Sequence, residues 1–371
     1  MSLTRLWAIA RKEAIQLKRD LRSLILAFVL PLFLVLVFGA AISLDVRNIP
    51  FLVVDRDVSP ASRELVDAFR ASGYFEFQGT LDRPGQADAL LREARVRMVL
   101  VIPPDYGRDL AGRRGPTVQA LVDGSDANSA TIAINYADAI VSGLGSRVVL
   151  EGRRASLPLV AESRVWYNEA LESVRMVVPG LVAVIMAMVA AMLTALTIAR
   201  EWERGTMEQL AATPVGRFEV VAGKLLPYIG IGIVDVAIVT LVGVFIFKVP
   251  LRGDLLLLGL LSLLFMIGVL SFGVFISATL KSQLLATQVA LMATYLPAFL
   301  LSGFLYPIAN MPVALRALSW AVPARYFVVI MRGIYLKGVG VGVLWPQILG
   351  LAIYTTVALA LAVRAFRKEI G

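Results

Sequence analysis

The sequence of 371 residues contains no cysteine and no histidine. Without them the chain has no disulfides, no cysteine nucleophile, no histidine general base and no zinc site of the Cys/His kind. The acidic residues Asp123, Asp126 and Asp138 are not spaced as metal ligands. No Gly-x-x-x-x-Gly-Lys-Ser/Thr run is present to bind nucleotide phosphates. The sequence therefore predicts no catalytic residue, no metal site and no cofactor bound by this chain.

Charge is also scarce. Only 17% of the residues are charged, 58% are hydrophobic, and the mean hydropathy is +0.78. Soluble domains carry about 25% charged residues, so this chain has more apolar surface than a soluble fold can bury. A membrane protein is the first prediction.

The charged residues are unevenly distributed. Between Asp45 and Ser173 there are 18 acidic and 15 basic residues, so the remainder of the chain carries a net charge of +12. The basic residues of that remainder lie beside apolar runs and not on a polar face with interleaved aromatics. We therefore predict contact with anionic membrane lipids and no nucleic-acid partner.

Six apolar stretches are long enough to cross a hydrocarbon core, which takes about 20 helical residues. They are Leu24–Leu44, Met176–Ala199, Leu225–Phe247, Leu255–Leu280, Leu284–Ile308 and Val343–Val363. Ahead of them, Met1–Arg22 alternates apolar and basic residues at helical spacing. This pattern is typical of an amphipathic helix lying in the headgroup region.

Lysine and arginine set the predicted orientation. Fourteen of them flank the spans on the side of the N-terminus, against six in the opposite short connections. By the positive-inside rule both termini are cytoplasmic and the long segment between the first two spans is outside.

The outside segment has the pattern of an α/β domain. Its predicted strands are 48–54, 98–102 and 117–122, and its predicted helices are 59–71, 84–94, 106–111 and 127–154. Ser59 before Pro60 is a candidate N-cap.

The fold class is therefore a polytopic α-helical membrane protein with six transmembrane helices and an inserted extracytoplasmic α/β domain. The predicted boundaries are 1–22 for the interfacial helix, 23–44 for transmembrane helix 1, 45–173 for the α/β domain and 174–371 for transmembrane helices 2–6.

The connection after the second span is the most informative local motif. Thr206 and Gln209 stand at capping-box spacing, and Pro214 ends the predicted helix. A short, charged helix in such a loop fits a docking element for a soluble partner and an ordinary solvated turn helix equally well.

Two stretches resemble a known family. The sequence ERGTMEQLAATPV, from Glu203 to Val215, resembles the coupling-helix segment of type-2 ATP-binding-cassette (ABC) transporter permeases. LSGFLYPIANMP, from Leu301 to Pro312, and PARYF, from Pro323 to Phe327, are similar to that family's turn after the fifth span. The resemblance covers essentially the whole chain and matches the branch with a large extracytoplasmic domain between spans one and two.

The resemblance implies a permease subunit of an exporter in a bacterial inner membrane, moving a drug, a lipid or a similar hydrophobic or amphipathic substrate. Two permease protomers, identical or paralogous, would bind two copies of a separate ABC ATPase that carries ATP-Mg. A periplasmic adaptor protein is a further implied partner. The implied coupling residues within 203–215 are Glu203, Arg204, Gly205, Thr206, Met207, Glu208 and Gln209. An outer re-entrant segment over 302–340 would include Ser302, Gly303, Pro307, Asn310 and Pro312.

Asp235 is the lone ionisable residue within the predicted spans. A carboxyl at membrane depth is costly and usually faces a bundle interior or a water-filled path. Asp235 therefore either lies on a translocation path or is a packing residue hydrogen-bonded near Tyr228 or Thr240.

Two other functions remain open from the residues. A receptor or scaffold would use the exterior domain to bind a partner, although six spans exceed what a scaffold requires. A membrane enzyme acting on lipid-linked substrates would need a cluster of polar residues, which the sequence does not show.

Overall fold

The computed structural model describes residues 2–41, 48–82, 84–93, 95–112, 116–124, 127–151 and 173–366. The chain forms two compact units, Leu44–Arg164 on the one hand and Met1–Ser43 with Val165–Gly371 on the other. The predicted end of the first span at Leu44, the predicted end of the long helix at Arg154 and the tail from 367 onward lie outside the described residues.

The chain begins with the predicted amphipathic helix, α1 (Leu3–Arg19). Its buried positions are Ala10, Glu13 and Leu17, three residues on one helical stripe, while Leu3 is exposed. A continuous apolar helix follows, made of α2 (Leu21–Leu24), one π-helical turn (Ile25–Val29) and α3 (Leu30–Ala41). It is the first predicted span as far as the described residues extend.

The α/β unit is built on a four-stranded sheet. Its elements are β1 (Ile49–Asp55), α4 (Pro60–Ala71), β2 (Phe75–Thr80), α5 (Ala87–Arg92), β3 (Met98–Ile102), α6 (Tyr106–Ala111), β4 (Gln119–Val122) and α7 (Ala127–Glu151). The strand order is β2–β1–β3–β4, with β1 parallel to both neighbours and β4 antiparallel to β3.

Sequence patterning located three of these strands and missed β2. Phe-Glu-Phe-Gln-Gly-Thr is an edge strand in which only Phe75 is fully buried, so its apolar signal is weak. Phe75 packs on Phe69 of α4 with ring centroids 5.0 Å apart, and both contact Phe51 of β1. The predicted cap at Ser59 is confirmed, because Ser59 and Ser62 each accept a hydrogen bond from the other's backbone N–H.

The second part of the chain is helical. Its helices are α8 (Ser173–Glu203), α9 (Met207–Ala211), α10 (Arg217–Phe245), α11 (Leu255–Leu280), α12 (Gln283–Leu301), α13 (Val313–Leu318), α14 (Pro323–Arg332) and α15 (Val341–Ala365). Among the described residues, α8, α10, α11, α12 and α15 are long and apolar enough to cross a membrane. These five helices are predicted spans two to six, so a multi-pass helical membrane protein is supported.

The predicted fifth span is too long at its C-terminal end. Helix α12 stops at Leu301, seven residues before Ile308, because Gly303 adopts a positive φ of 82° that a helix cannot continue through. The chain then makes a 3₁₀ turn (Ile308–Asn310) before α13.

A sharp bend follows α13. The helical segments Val313–Ala321 and Pro323–Lys337 meet at 85°, which is the geometry of a broken span or a re-entrant loop. Val322 between them is extended, since a residue before proline avoids the helical region.

Helix α8 is the centre of the helical unit. It packs against α3, α10, α11, α12 and α14, and 89% of its most apolar window is buried. Glycine lets α11 approach it closely: a Cβ on Gly273 would lie 2.1 Å from Thr194 Oγ1 and 2.5 Å from the Ala191 carbonyl oxygen. The Thr194 hydroxyl donates across this contact to the Leu270 carbonyl oxygen at 2.9 Å.

Gly273→Ala should destabilise the bundle by about 1–3 kcal/mol, because the added methyl overlaps the backbone of α8. Gly230→Ala is the matched control, since a Cβ there meets nothing within 4 Å. The apparent melting temperature of the detergent-solubilised chain measures both. Equal melting of the two variants would contradict the close approach of α8 and α11.

Candidate functional site

The predicted coupling helix is present but short. Helix α9 has five residues and ends at Ala211, three residues before Pro214. The predicted capping box is wrong: Thr206 is already helical in φ and ψ, and its side chain caps no backbone N–H. The Thr206 hydroxyl instead donates to the Glu201 carboxylate near the end of α8.

The residues predicted to couple have two orientations. Met207 is only 2% exposed and is part of the core, whereas Glu208 and Gln209 on the following positions are exposed. Arg204 is exposed, and Gly205, with φ of 71°, reverses the chain between α8 and α9. One end of α9 is therefore fixed to the bundle while its outer face is free.

Glu203 has a different role from its neighbours. Its carboxylate accepts hydrogen bonds from the Gln283 backbone N–H at 2.7 Å and from the Gln283 side-chain amide. Lys281 lies over the Trp202 ring, 4.2 Å from its centroid. These contacts join the end of α8 to the start of α12.

Beneath α9 lies a group of charges that we call the buried ion cluster: Glu13 of α1, Glu201 of α8 and Lys224 of α10. The Lys224 ammonium lies 3.0 Å from Glu13 and 3.3 Å from Glu201, and all three residues are at most 5% exposed. Lys12 adds a second, more exposed ammonium 3.0 Å from Glu201. The Tyr228 hydroxyl donates to Glu13 at 3.4 Å.

The buried ion cluster fixes three helices to one another. An unpaired charge in this environment costs several kcal/mol, so each member requires the others in place. Backbone packing supports the same junction, because a Cβ on Gly223 would lie 3.0 Å from the Leu6 carbonyl oxygen of α1. Through Thr206 and Glu201, the first turn of α9 is attached to this junction.

Sequence patterning missed the cluster. Its signal was Glu13, which sits between Ala10 and Leu17 on the apolar stripe of α1, where a carboxylate has no reason to be unless it has a buried partner. Lys224 lies just ahead of the predicted third span and was counted there as a topology signal. Nothing in the sequence pairs the two residues.

A second ion pair continues the junction toward α2. Arg200 lies 3.1 Å from Asp20, which also accepts a hydrogen bond from the Ser23 hydroxyl at 2.8 Å. Burial raises the pKa of the Asp20 carboxyl, but the Ser23 hydrogen bonds and the Arg200 guanidinium together bring that pKa below its usual value. Asp20 is therefore ionised at neutral pH.

Asp235 is buried in α10, at 3% exposure. The hydroxyl groups proposed to bond it are engaged elsewhere: Tyr228 donates to Glu13, and Thr240 accepts from Tyr335 at 2.9 Å. In the part of the chain that the structure describes, Asp235 has no hydrogen-bond partner.

The predicted outer residues lie together in the turns around α12 and α13. Ser302 is fully buried and accepts the Phe304 backbone N–H at 3.2 Å. The Pro307 carbonyl accepts the Asn310 backbone N–H, and Pro312 precedes α13. With α12, the last three of these residues line a largely apolar cavity of about 540 Å³.

Arg332 holds this segment in place without a carboxylate. Its guanidinium donates to the carbonyl oxygens of Gly303 and Phe304, each at 3.0 Å, and to that of Met176 in α8 at 3.2 Å. One side chain of α14 thus satisfies the turn after α12 and joins it to α8.

The fold and these contacts define a class of protein: a multi-pass helical membrane protein with a short surface helix anchored to its bundle by buried charges. The family model described as ABC-2 family transporter protein matches residues 21–364, so the chain belongs to this family.

Named relatives agree with this membership. The chain is 35% identical over 341 residues to the probable multidrug ABC transporter permease YbhS of Escherichia coli K12, covering 91% of this chain and 90% of that protein. It is 30% identical to the probable multidrug ABC transporter permease YbhR of the same organism, over 99% of both chains. The inner membrane transport permease YhhJ is 29% identical over 87% of this chain and 86% of its own length. The chain is a membrane permease subunit of an ABC transporter, and the ATPase is a separate chain.

Lys224→Met should lower the stability of the helical unit by about 3–5 kcal/mol, because it leaves two carboxylates buried without their shared cation. Thermal melting and the folded yield in detergent measure this loss. Lys12→Met is the matched control: Lys12 contacts the same Glu201, but its side chain is 57% exposed, so the cost should stay below about 1 kcal/mol.

Adding Glu13→Gln and Glu201→Gln to Lys224→Met should recover much of the loss, since no charge is then buried. Melting of Lys224→Met at the wild-type temperature would contradict the cluster.

Arg332→Lys should destabilise the outer segment by about 1–3 kcal/mol for each carbonyl left unpaired, because an ammonium cannot reproduce the guanidinium fork. Arg325→Lys is the control, since Arg325 stacks over the Trp320 ring at 4.1 Å in an exposed position. Thermal melting and protease sensitivity of 302–340 compare them. Indistinguishable profiles would rule out this role of Arg332.

Proposed function

We propose that this permease is the membrane half of an ATP-driven exporter, with the exposed face of α9 as its contact for a separate ABC ATPase. The observation that carries the proposal is the attachment of α9: Thr206 and Met207 are held by the bundle, and Glu208 and Gln209 face outward. A helix fixed at one end and exposed along its face transmits force applied to that face.

The buried ion cluster supplies the next step of the transmission. Displacement of α9 acts on Glu201 of α8, and Glu201 shares Lys224 with Glu13 of α1. Because separating these charges is costly, α1, α8 and α10 move together. ATP-driven closure of the ATPase pair would then shift the spans as rigid bodies and open the pathway outward.

The proposed assembly has two permease protomers, identical or paralogous, and two ATPase copies that hold ATP-Mg. It lies in a bacterial inner membrane with both termini cytoplasmic and the α/β unit extracytoplasmic, as the charge distribution favours. The α/β unit is the surface that we assign to a periplasmic adaptor. Spans 2–6 and the segment 302–340 would surround the pathway.

The substrate class in this proposal is a hydrophobic or amphipathic molecule such as a drug or a lipid. The large apolar surface supports it, as does the word multidrug in the names of two relatives. We propose Asp235 as a polar position along the path, because it is a buried carboxyl that bonds no other described residue.

Glu208→Lys with Gln209→Lys should abolish recovery of the cognate ABC ATPase in co-purification and abolish substrate-stimulated ATP hydrolysis in proteoliposomes, while membrane insertion stays normal. The reason is that two added cations occupy the only part of α9 that faces outward without supporting the bundle.

Glu64→Lys, at an exposed position of α4, controls for the charge change itself. Met207→Ala separates the two faces of α9: it should weaken coupling by loosening the helix, with the ATPase still bound. Full ATPase recovery and transport by the Glu208/Gln209 double variant would refute the docking face.

A further inference from the structure

A cavity of about 930 Å³ lies beside the junction, between α1, α2 and the ends of α8 and α12. One part of its lining is basic, with Lys12, Arg19, Arg200 and Arg204. Another part is apolar and includes Leu26 of the π-helical turn and Leu196 of α8. We call it the basic cavity.

Arg200 is incompletely satisfied in this cavity. Its terminal nitrogen bonds Asp20 at 3.1 Å, but its Nε–H is buried with no hydrogen-bond partner within the described structure. Leaving a buried charged donor unpaired is costly, so the site lacks an acceptor. Asp20 is the one carboxylate among the lining residues, against four cations.

We propose that the basic cavity binds the phosphate headgroup of an anionic membrane phospholipid. Guanidinium forks suit phosphate oxygens better than any other common ligand, and four cations against one carboxylate leave an excess positive charge for an anion to neutralise. The unpaired Nε–H of Arg200 donates to a phosphate oxygen, with Arg19 and Arg204 completing its surroundings.

The apolar side of the cavity distinguishes a lipid from free phosphate. Leu26 belongs to the apolar helix of the first predicted span, and Leu196 to the apolar run of α8. A headgroup at the arginines therefore places its acyl chains along surfaces that are themselves apolar. The bound lipid joins α1 to α8 next to the buried ion cluster, through Lys12, which belongs to both sites.

Native mass spectrometry of the full-length, detergent-solubilised chain tests the site with phosphatidylglycerol and phosphatidylcholine of the same acyl chains. We expect one phosphatidylglycerol to be retained, with a preference over phosphatidylcholine of about tenfold, as one charge-assisted contact provides. Arg19→Gln with Arg200→Gln should remove this preference. Because Arg200 also stabilises Asp20, Arg19→Gln alone provides a second variant, for which a loss of about threefold is expected.

Two matched variants make the test specific. Arg11→Gln with Lys18→Gln removes the same charge from exposed positions of α1 outside the cavity, and should retain phosphatidylglycerol as the wild type does. Asp20→Asn removes the competing carboxylate and should bind phosphatidylglycerol equally well or more tightly.

Three results would overturn the proposal. They are equal retention of the two lipids, an equal loss in the Arg11/Lys18 control, and displacement of phosphatidylglycerol by inorganic phosphate at the same concentration, which would assign the cavity to free phosphate. None of these measurements involves the ATPase or transport, so they stand apart from the function proposed above.

Discussion

The pairing of one buried ammonium with two buried carboxylates determines how the rest of the helical unit is organised. Lys224, Glu13 and Glu201 come from three helices that are far apart in the sequence, and none of them can leave without exposing a charge to an apolar interior. A hydrophobic contact could slide by a fraction of a turn at little cost, whereas this arrangement has one register. The amphipathic first helix is thereby part of the bundle and more than a membrane anchor.

Close packing around α8 makes the same unit stiff. Where Gly273 meets Thr194 and Ala191, the two backbones approach to a distance that no larger residue permits. At another point of α8, Arg332 binds the Met176 carbonyl oxygen and the turn after α12 without using an acid. The central helix is thus fixed by buried charges near Glu201 and by neutral carbonyl acceptors near Met176, and a displacement at one point is carried to the other.

The sequence allowed the long helices to be predicted within a few residues, because membrane thickness sets their length and local composition reveals it. α11 was predicted to the residue, and α12 failed only where Gly303 ends the helix. The contacts of the candidate site could not be predicted in this way. Glu13 and Lys224 lie 211 positions apart, and no local pattern specifies which distant charge a buried charge will meet. Strand β2 was missed for a related reason: its place at the sheet edge depends on Phe51 and Phe69, which it meets only after folding.

A sequence motif identifies a segment but does not assign the roles of its residues. In Glu203–Gln209 the structure separates residues that the motif treats as one set: Glu203 joins α8 to α12, Gly205 turns the chain, Met207 is buried, and Glu208 is exposed. This division is what a force-transmitting element requires. If every residue faced a partner, α9 would move without the bundle, and if every residue were buried, no partner could move it. An anchored first turn and an exposed face satisfy both conditions within seven residues.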